Sequence, residues 1–188
     1  FKLDINGNLQ WWQSYPAHFI FNEILPTPDG AFIVNFGGSA AGMMKIDAYG
    51  NELWTTQHSL LPGNHMAADL LITSNGSYIT TSNLNPSNWP PQERFQCYIC
   101  CNPAGDTLWT SLLPTGLEHL MSVCETTTGD FLALMEEGIG LTPIIRKFDL
   151  AQAVYVDSVV FTGTEVNGNT TPGLLNKVSS GGFVMASK

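Results

Sequence analysis

Charge is scarce in this chain. Of its 188 residues only 12% are charged, and seven Lys and Arg face sixteen Asp and Glu, for a formal net charge of -9. Soluble domains ordinarily carry about 25% charged residues. So few cations leave no basic footprint for tracking phosphates or settling on anionic lipid, which excludes nucleic acid as a partner. Long apolar runs are missing too: none approaches the roughly 18 residues of a membrane helix, so membrane insertion is not expected. The N-terminal FKLDINGNLQWW has neither the charged nor the apolar region of a secretory signal, and the chain opens on Phe1, as a processed product or a piece of a longer chain would. At 44% hydrophobic residues the composition excludes a disordered chain. Helical periodicity is absent as well: no stretch of about ten residues repeats apolar positions at i, i+3, i+4 and i+7. What is present is a succession of short alternating segments bounded by Gly, Asn, Asp and Pro, the pattern of an all-β protein.

Two signatures alternate along the chain. One is a turn followed by an aromatic-aliphatic strand: TPDGAFIV at 27 to 34, TSNGSYIT at 73 to 80, TTTGDFLA at 126 to 133 and VSSGGFVM at 178 to 185. Its glycines stand at 30, 76, 129 and 181, spaced by 46, 53 and 52 residues. The other is a strand, a tight turn and a strand ending in Trp: KLDINGNLQW at 2 to 11, KIDAYGNELW at 45 to 54 and CCNPAGDTLW at 100 to 109. A fourth copy, KFDLAQAVYV at 147 to 156, lacks the Gly and places Val156 where the others have Trp.

A period near roughly 50 residues that holds two hairpins is the four-stranded blade of a β-propeller. A lone four-stranded sheet cannot cover both apolar faces, so blades stack side by side. Trp11, Trp54 and Trp109 are then expected at the joints, each burying roughly 150–250 Å², and Trp54→Ala should cost about 3–5 kcal/mol. Complete blades are predicted at about 22 to 57, 67 to 112 and 120 to 161, in one propeller domain over 1 to 188. Residues 172 to 188 with 1 to 13 supply one more blade, either closing a four-bladed ring or belonging to a larger propeller.

TPDGAFIV with MMKIDAYGNELW, and TSNGSYIT with NPAGDTLW, resemble the propeller repeats of large secreted bacterial surface proteins, often exported by type IX secretion. That resemblance implies a secreted or cell-surface protein, non-catalytic and without a cofactor, that binds a protein or glycan, docks other domains of its own chain, or serves as a scaffold. A more distant likeness is to quinoprotein dehydrogenase propellers, whose Trp-docking motif is one residue longer from Asp to Gly than Asp47 to Gly50, and which carry a vicinal disulfide like the pair Cys100-Cys101. It implies the alternative of a quinoprotein-like or carbohydrate-active enzyme. A purely structural stalk is the third reading.

Nothing in the chain matches a nucleophile elbow, a Walker loop or an HExxH zinc site. Cys97 and Cys100, three apart on a strand, face opposite sides roughly 10 Å apart and cannot chelate a metal together. Cys101 and Cys124 align with Leu, Ile or Phe of other repeats, so all four cysteines are expected to be buried apolar groups, with a Cys97–Cys124 bridge as the alternative. Glu23 and Asp69 each stand seven residues before the repeat Gly, on strands lining the propeller axis, where Ser122 and Leu174 take the same place; a cation there would meet an incomplete ring of charge. Asn75 and Asn169 head N-glycosylation tripeptides, and Asp157-Ser158-Val159 resembles a bacterial O-glycan acceptor.

Hairpin turns at one end of the blades are uniformly short, whereas the other end has the longer segments 82 to 94, 136 to 143, 57 to 65 and 114 to 119. Varied loops on a rigid scaffold are where recognition resides. The expected interaction face is therefore that of Trp89, Arg94, Glu136, Glu137, His18, His65 and His119, with Trp89 as the aromatic anchor.

Overall fold

The computed structural model of the chain describes residues 1–15, 19–86, 94–116, 118–137, 142–149, 154–160, 172–177 and 183–187. The expectations placed on His18, Trp89 and Asn169 lie outside them. All strand pairs are antiparallel. The first complete blade consists of β3 (Ile20–Pro26), β4 (Phe32–Gly37), β5 (Ala41–Ile46) and β6 (Glu52–His58). The second has β7 (Gly63–Ile72), β8 (Tyr78–Pro86), β9 (Arg94–Cys101) and β10 (Thr107–Gly116). The third has β11 (Glu118–Glu125), β12 (Phe131–Glu137), β13 (Thr142–Asp149) and β14 (Val154–Val160). Two hairpins flank them, β1 (Lys2–Leu3) with β2 (Leu9–Trp11) and β15 (Pro172–Lys177) with β16 (Phe183–Ser187), and these form separate two-stranded sheets.

Local chemistry sets the turns. At Asp47 the backbone N–H donates to the Asn51 carbonyl at 2.9 Å, the Gly50 N–H donates back to Asp47 at 3.1 Å, and only the Gly takes a positive φ, here 84°. The same closure recurs at Asp4, Thr27, Thr73, Asn102 and Thr126. In each, the opening side chain accepts or shares hydrogen bonds inside the turn, which Asp, Asn and Thr can do and an alkyl group cannot.

Every inner strand carries a β-bulge at one repeat position: between Phe21 and Ile24, Ala67 and Asp69, Leu120 and Ser122, and Pro172 and Leu174. Bulges bend a strand and turn backbone amides out of the ladder. Here the amides of Leu70 and Val123 are taken by carboxylates of the preceding blade, Glu23 at 3.0 Å and Asp69 at 2.5 Å. Apolar clusters fill the spaces between blades. Ile33 and Met43 of the first meet Leu70, Tyr78, Ile99 and Cys101 of the second, and Tyr98 of the second meets Leu120, Val123, Ala133 and Met135 of the third.

Two expectations are corrected. In the third blade Asp157, not Val156, faces Lys147 as Trp54 faces Lys45 and Trp109 faces Cys100, because that hairpin is one residue longer. The segments expected as loops contain paired strand at their described positions: β7 and β8 stay paired out to Gly63 and Pro86, β6 runs to His58, and β9 begins at Arg94. Continued pairing satisfies backbone groups that a loop would leave to water.

Candidate functional site: the blade joints, the axis and the blade ends

Trp11 and Trp54 stand at the joints as expected, and the contact has a defined geometry. The Trp54 indole N–H donates to the Pro103 carbonyl at 3.3 Å, and Thr56 donates to the Gly105 carbonyl at 2.6 Å. Trp11 donates to the Ala48 carbonyl at 2.7 Å, and Tyr15 to Gly50 at 2.8 Å. Each Trp thus caps the second hairpin turn of the following blade. Trp109 packs on Phe148, with ring centroids 6.3 Å apart.

A buried lysine is the feature that sequence reasoning missed. Lys45 Nζ lies 2.7 Å from Asp29 and donates to the Tyr78 hydroxyl at 3.2 Å, and Lys147 pairs with Asp130 at 2.7 Å. The Lys of K-x-D reaches across the blade to the Asp beside the repeat Gly. Asp29 is held down to about 2, first by the Lys45 hydrogen bond and then by that of Thr27. The recurrence of KLD, KID and KFD beside PDG and TGD carried that signal.

Along the axis, Glu23, Asp69, Ser122 and Leu175 line a solvent-open cavity of about 410 Å³. Asp69 accepts from Ser122 Oγ at 2.9 Å as well as from the Val123 and Leu70 amides. Burial raises Glu23 to about 7, helped by its hydrogen bond and charge contact with Asp69, and burial likewise raises Asp69. Through the Leu70 and Val123 amides and Ser122, the two carboxyls act as a strut across three inner strands. Among the described residues no three His, Cys, Asp or Glu side chains are grouped to hold a metal ion.

The four cysteines are free and buried, and they fall in separate clusters: Cys97 with Leu84 and Phe95, Cys100 with Ile79 and Phe131, Cys101 with Ile99 and Met43, and Cys124 with Leu134. The Cys97–Cys124 bridge and a vicinal Cys100–Cys101 disulfide are both absent.

Of the residues expected at the far end of the blades, Arg94, His119, Glu136 and Glu137 lie on β9, β11 and β12. His119 and Glu136 are opposite one another on β11 and β12, and all of Arg94, His119 and Glu136 are half-buried. Burial lowers His119, with the nearby Arg94 charge adding to the effect, and burial raises Glu136. Glu137 pairs through its backbone with Glu118 and Thr142. His65 is a correction: it is 1% exposed, bridges to Gly38 through its backbone, and has its ring nitrogens 3.4 Å from Ser82 Oγ and the Leu61 carbonyl. It belongs to a joint and presents nothing to a partner.

No family model and no curated protein matches the sequence. Among solved structures the chain is similar to a protein of unknown function from Bacteroides caccae, at 16% identity with a TM-score of 0.68, over 96% of this chain and 58% of that one. It is also similar to the Dos1 propeller, at 10% identity with a TM-score of 0.55, over 95% of this chain and 44% of that one. The chain thus spans about half the length of these structures. Likeness at such identities speaks for architecture, and the architecture is that of a β-propeller built from four-stranded blades.

Proposed function

We propose that this chain is a non-catalytic propeller module of an exported or cell-surface bacterial protein, and that it binds a protein or glycan partner at the blade end carrying Arg94, His119 and Glu136. The observation that supports this is their convergence: a guanidinium, an imidazole and a carboxyl, all partly accessible, come together from strands of two adjacent blades. Rigid strands hold them, as a recognition site requires. Among the described residues, the opposite end offers tight turns closed by their own backbone hydrogen bonds. The repeat resemblance supports an exported setting.

The test is a glycan array and a titration with bacterial surface proteins, repeated with Arg94→Ala and with substitutions at the Asp29 and Asp47 turns. At least tenfold weaker binding is expected for Arg94→Ala, with the turn variants unchanged. The reverse pattern would place the partner on the other end.

A further inference from the structure

One position repeats on the inner strands. Leu70, Val123 and Leu175 sit one residue after Asp69, Ser122 and Leu174 on β7, β11 and β15, and they are 4%, 7% and 3% exposed. Each is covered by the blade before it: Leu70 by Leu25 and Ile33, Val123 by Leu71 and Tyr98, Leu175 by Cys124 and Leu134. Ile24 holds the same place on β3 and is 53% exposed.

The exposure has a definite shape. Beside Ile24 is an open cleft of about 240 Å³ lined by Phe1, Trp11, Tyr15, Phe21 and Val34. Its outer side is already built as a joint. Trp11 on β2 caps the Asp47–Gly50 turn as Trp54 on β6 caps the Asn102–Gly105 turn, so β1–β2 stands to the first blade as β5–β6 stands to the second. Nothing among the described residues stands where β3–β4 would be. At the two complete joints a carboxylate from the preceding inner strand takes the amide of Leu70 or Val123; at Ile24 that carboxylate would have to come from the occupant.

We propose that the cleft between Trp11 and Ile24 is a docking site for the inner two-stranded hairpin of another blade of this repeat class. Its leading strand sets an aliphatic side chain on Ile24 and a carboxylate on the Ile24 amide. The partner's chemistry is read from the filled joints, which are continuous with this face along β3, β7 and β11. The site is separate from the Arg94 end and does not depend on the function proposed there.

Two measurements test it on the 188-residue chain. A disulfide-cyclised peptide spanning residues 64 to 85, the β7–β8 hairpin, is titrated while Trp fluorescence is followed. Saturable binding is expected, at least tenfold weaker for Ile24→Asp and weaker again for a peptide carrying Asp69→Asn. Because a free hairpin is only marginally stable, the second measurement joins an extra copy of residues 20 to 42 ahead of Phe1. The Ile24 amide should then exchange with solvent at least tenfold more slowly than in the parent chain. The proposal fails if neither hairpin protects Ile24. It also fails if protection is already present in the dilute parent chain, which would make β15–β16 the occupant. Protection that appears only with rising concentration and is lost in Ile24→Asp would make a second copy the occupant, and would overturn it too.

Discussion

The indole of Trp54 lies directly on Gly105 of the neighbouring blade, so that a β-carbon at Gly105 would come within 2.6 Å of the ring. Trp11 meets Gly50 in the same way, at 2.7 Å. Both glycines also have positive φ, 93° and 84°. The Gly and the Trp of the 45 to 54 signature therefore answer to different blades: Gly50 receives Trp11 from the hairpin before, while Trp54 reaches to Gly105 of the blade after.

Gly105→Ala combines two penalties, the left-handed backbone and the collision with Trp54. Gly76 has φ 85° with open space around its missing β-carbon, so Gly76→Ala bears the first penalty alone. Backbone strain of this kind is worth about 1–2 kcal/mol. Chemical denaturation should find Gly76→Ala within that range and Gly105→Ala about 1–3 kcal/mol beyond it. Equal losses would mean that the Trp54 contact contributes little to the joint.

The axial strut makes stability depend on pH through Glu23 and Asp69. Both carboxyls are raised on folding, Glu23 to about 7 from an ordinary value of 4.5. A raised acid stabilises the fold fully below its unfolded value, and that contribution fades as pH rises through the folded one. Denaturation midpoints should therefore fall between about pH 5 and 8, and Glu23→Gln should flatten this fall and be the more stable protein at pH 8. A steeper fall in Glu23→Gln would show that the raised Glu23 carboxyl is not the cause.

The legible part of this architecture was whatever recurs locally. A Gly with positive φ must be spelled out in each turn, and alternation must be spelled out in each strand, so four-stranded blades and the Trp joints can be read from repeats alone. Contacts that pair a residue of one signature with a residue of the other are harder to see. Lys45 with Asp29 and Lys147 with Asp130 were missed because their spacing means nothing until β4 and β12 separate them in space. Polar residues between strands suggest a loop and so an exposed His65, but β7 and β8 extend to Gly63 and Pro86 and bury it. Asp157 could not be aligned with Trp54 because one inserted residue shifts a strand to its other face.

The cysteines give a simple chemical test. All four are free, and burial pushes Cys97 up to about 12 and Cys100 up to about 11. The reactive thiolate is thus suppressed as well as shielded. Ellman's reagent should find essentially no fast thiol in the folded protein at pH 8 and four thiols in denaturant. Two thiols after unfolding would mean a disulfide and would contradict the separate placement of the four sulfurs.

His65 supplies an opposite pH dependence at the joint between the first two blades. Burial lowers its pKa, against the smaller opposing effect of the Leu61 carbonyl. A lowered histidine stabilises the fold above its unfolded value near 6.5, and that stability is lost as pH falls toward the folded one. Its window overlaps that of the axial carboxyls, whose contribution instead grows as pH falls, so the two slopes partly cancel in the parent protein. His65→Gln keeps a polar side chain at Ser82 and Leu61 but cannot be protonated. It should remove the acid-side loss and leave the carboxyl slope exposed, giving a steeper decline from pH 5 to 8 than the parent shows. The Gly38 amide, which donates to the His65 carbonyl at 2.8 Å, reports the same event locally. In the parent its exchange, corrected for intrinsic rate, should accelerate below pH 6, and in His65→Gln it should not. Acceleration of equal size in both proteins would show that the joint loosens in acid for reasons unrelated to this imidazole.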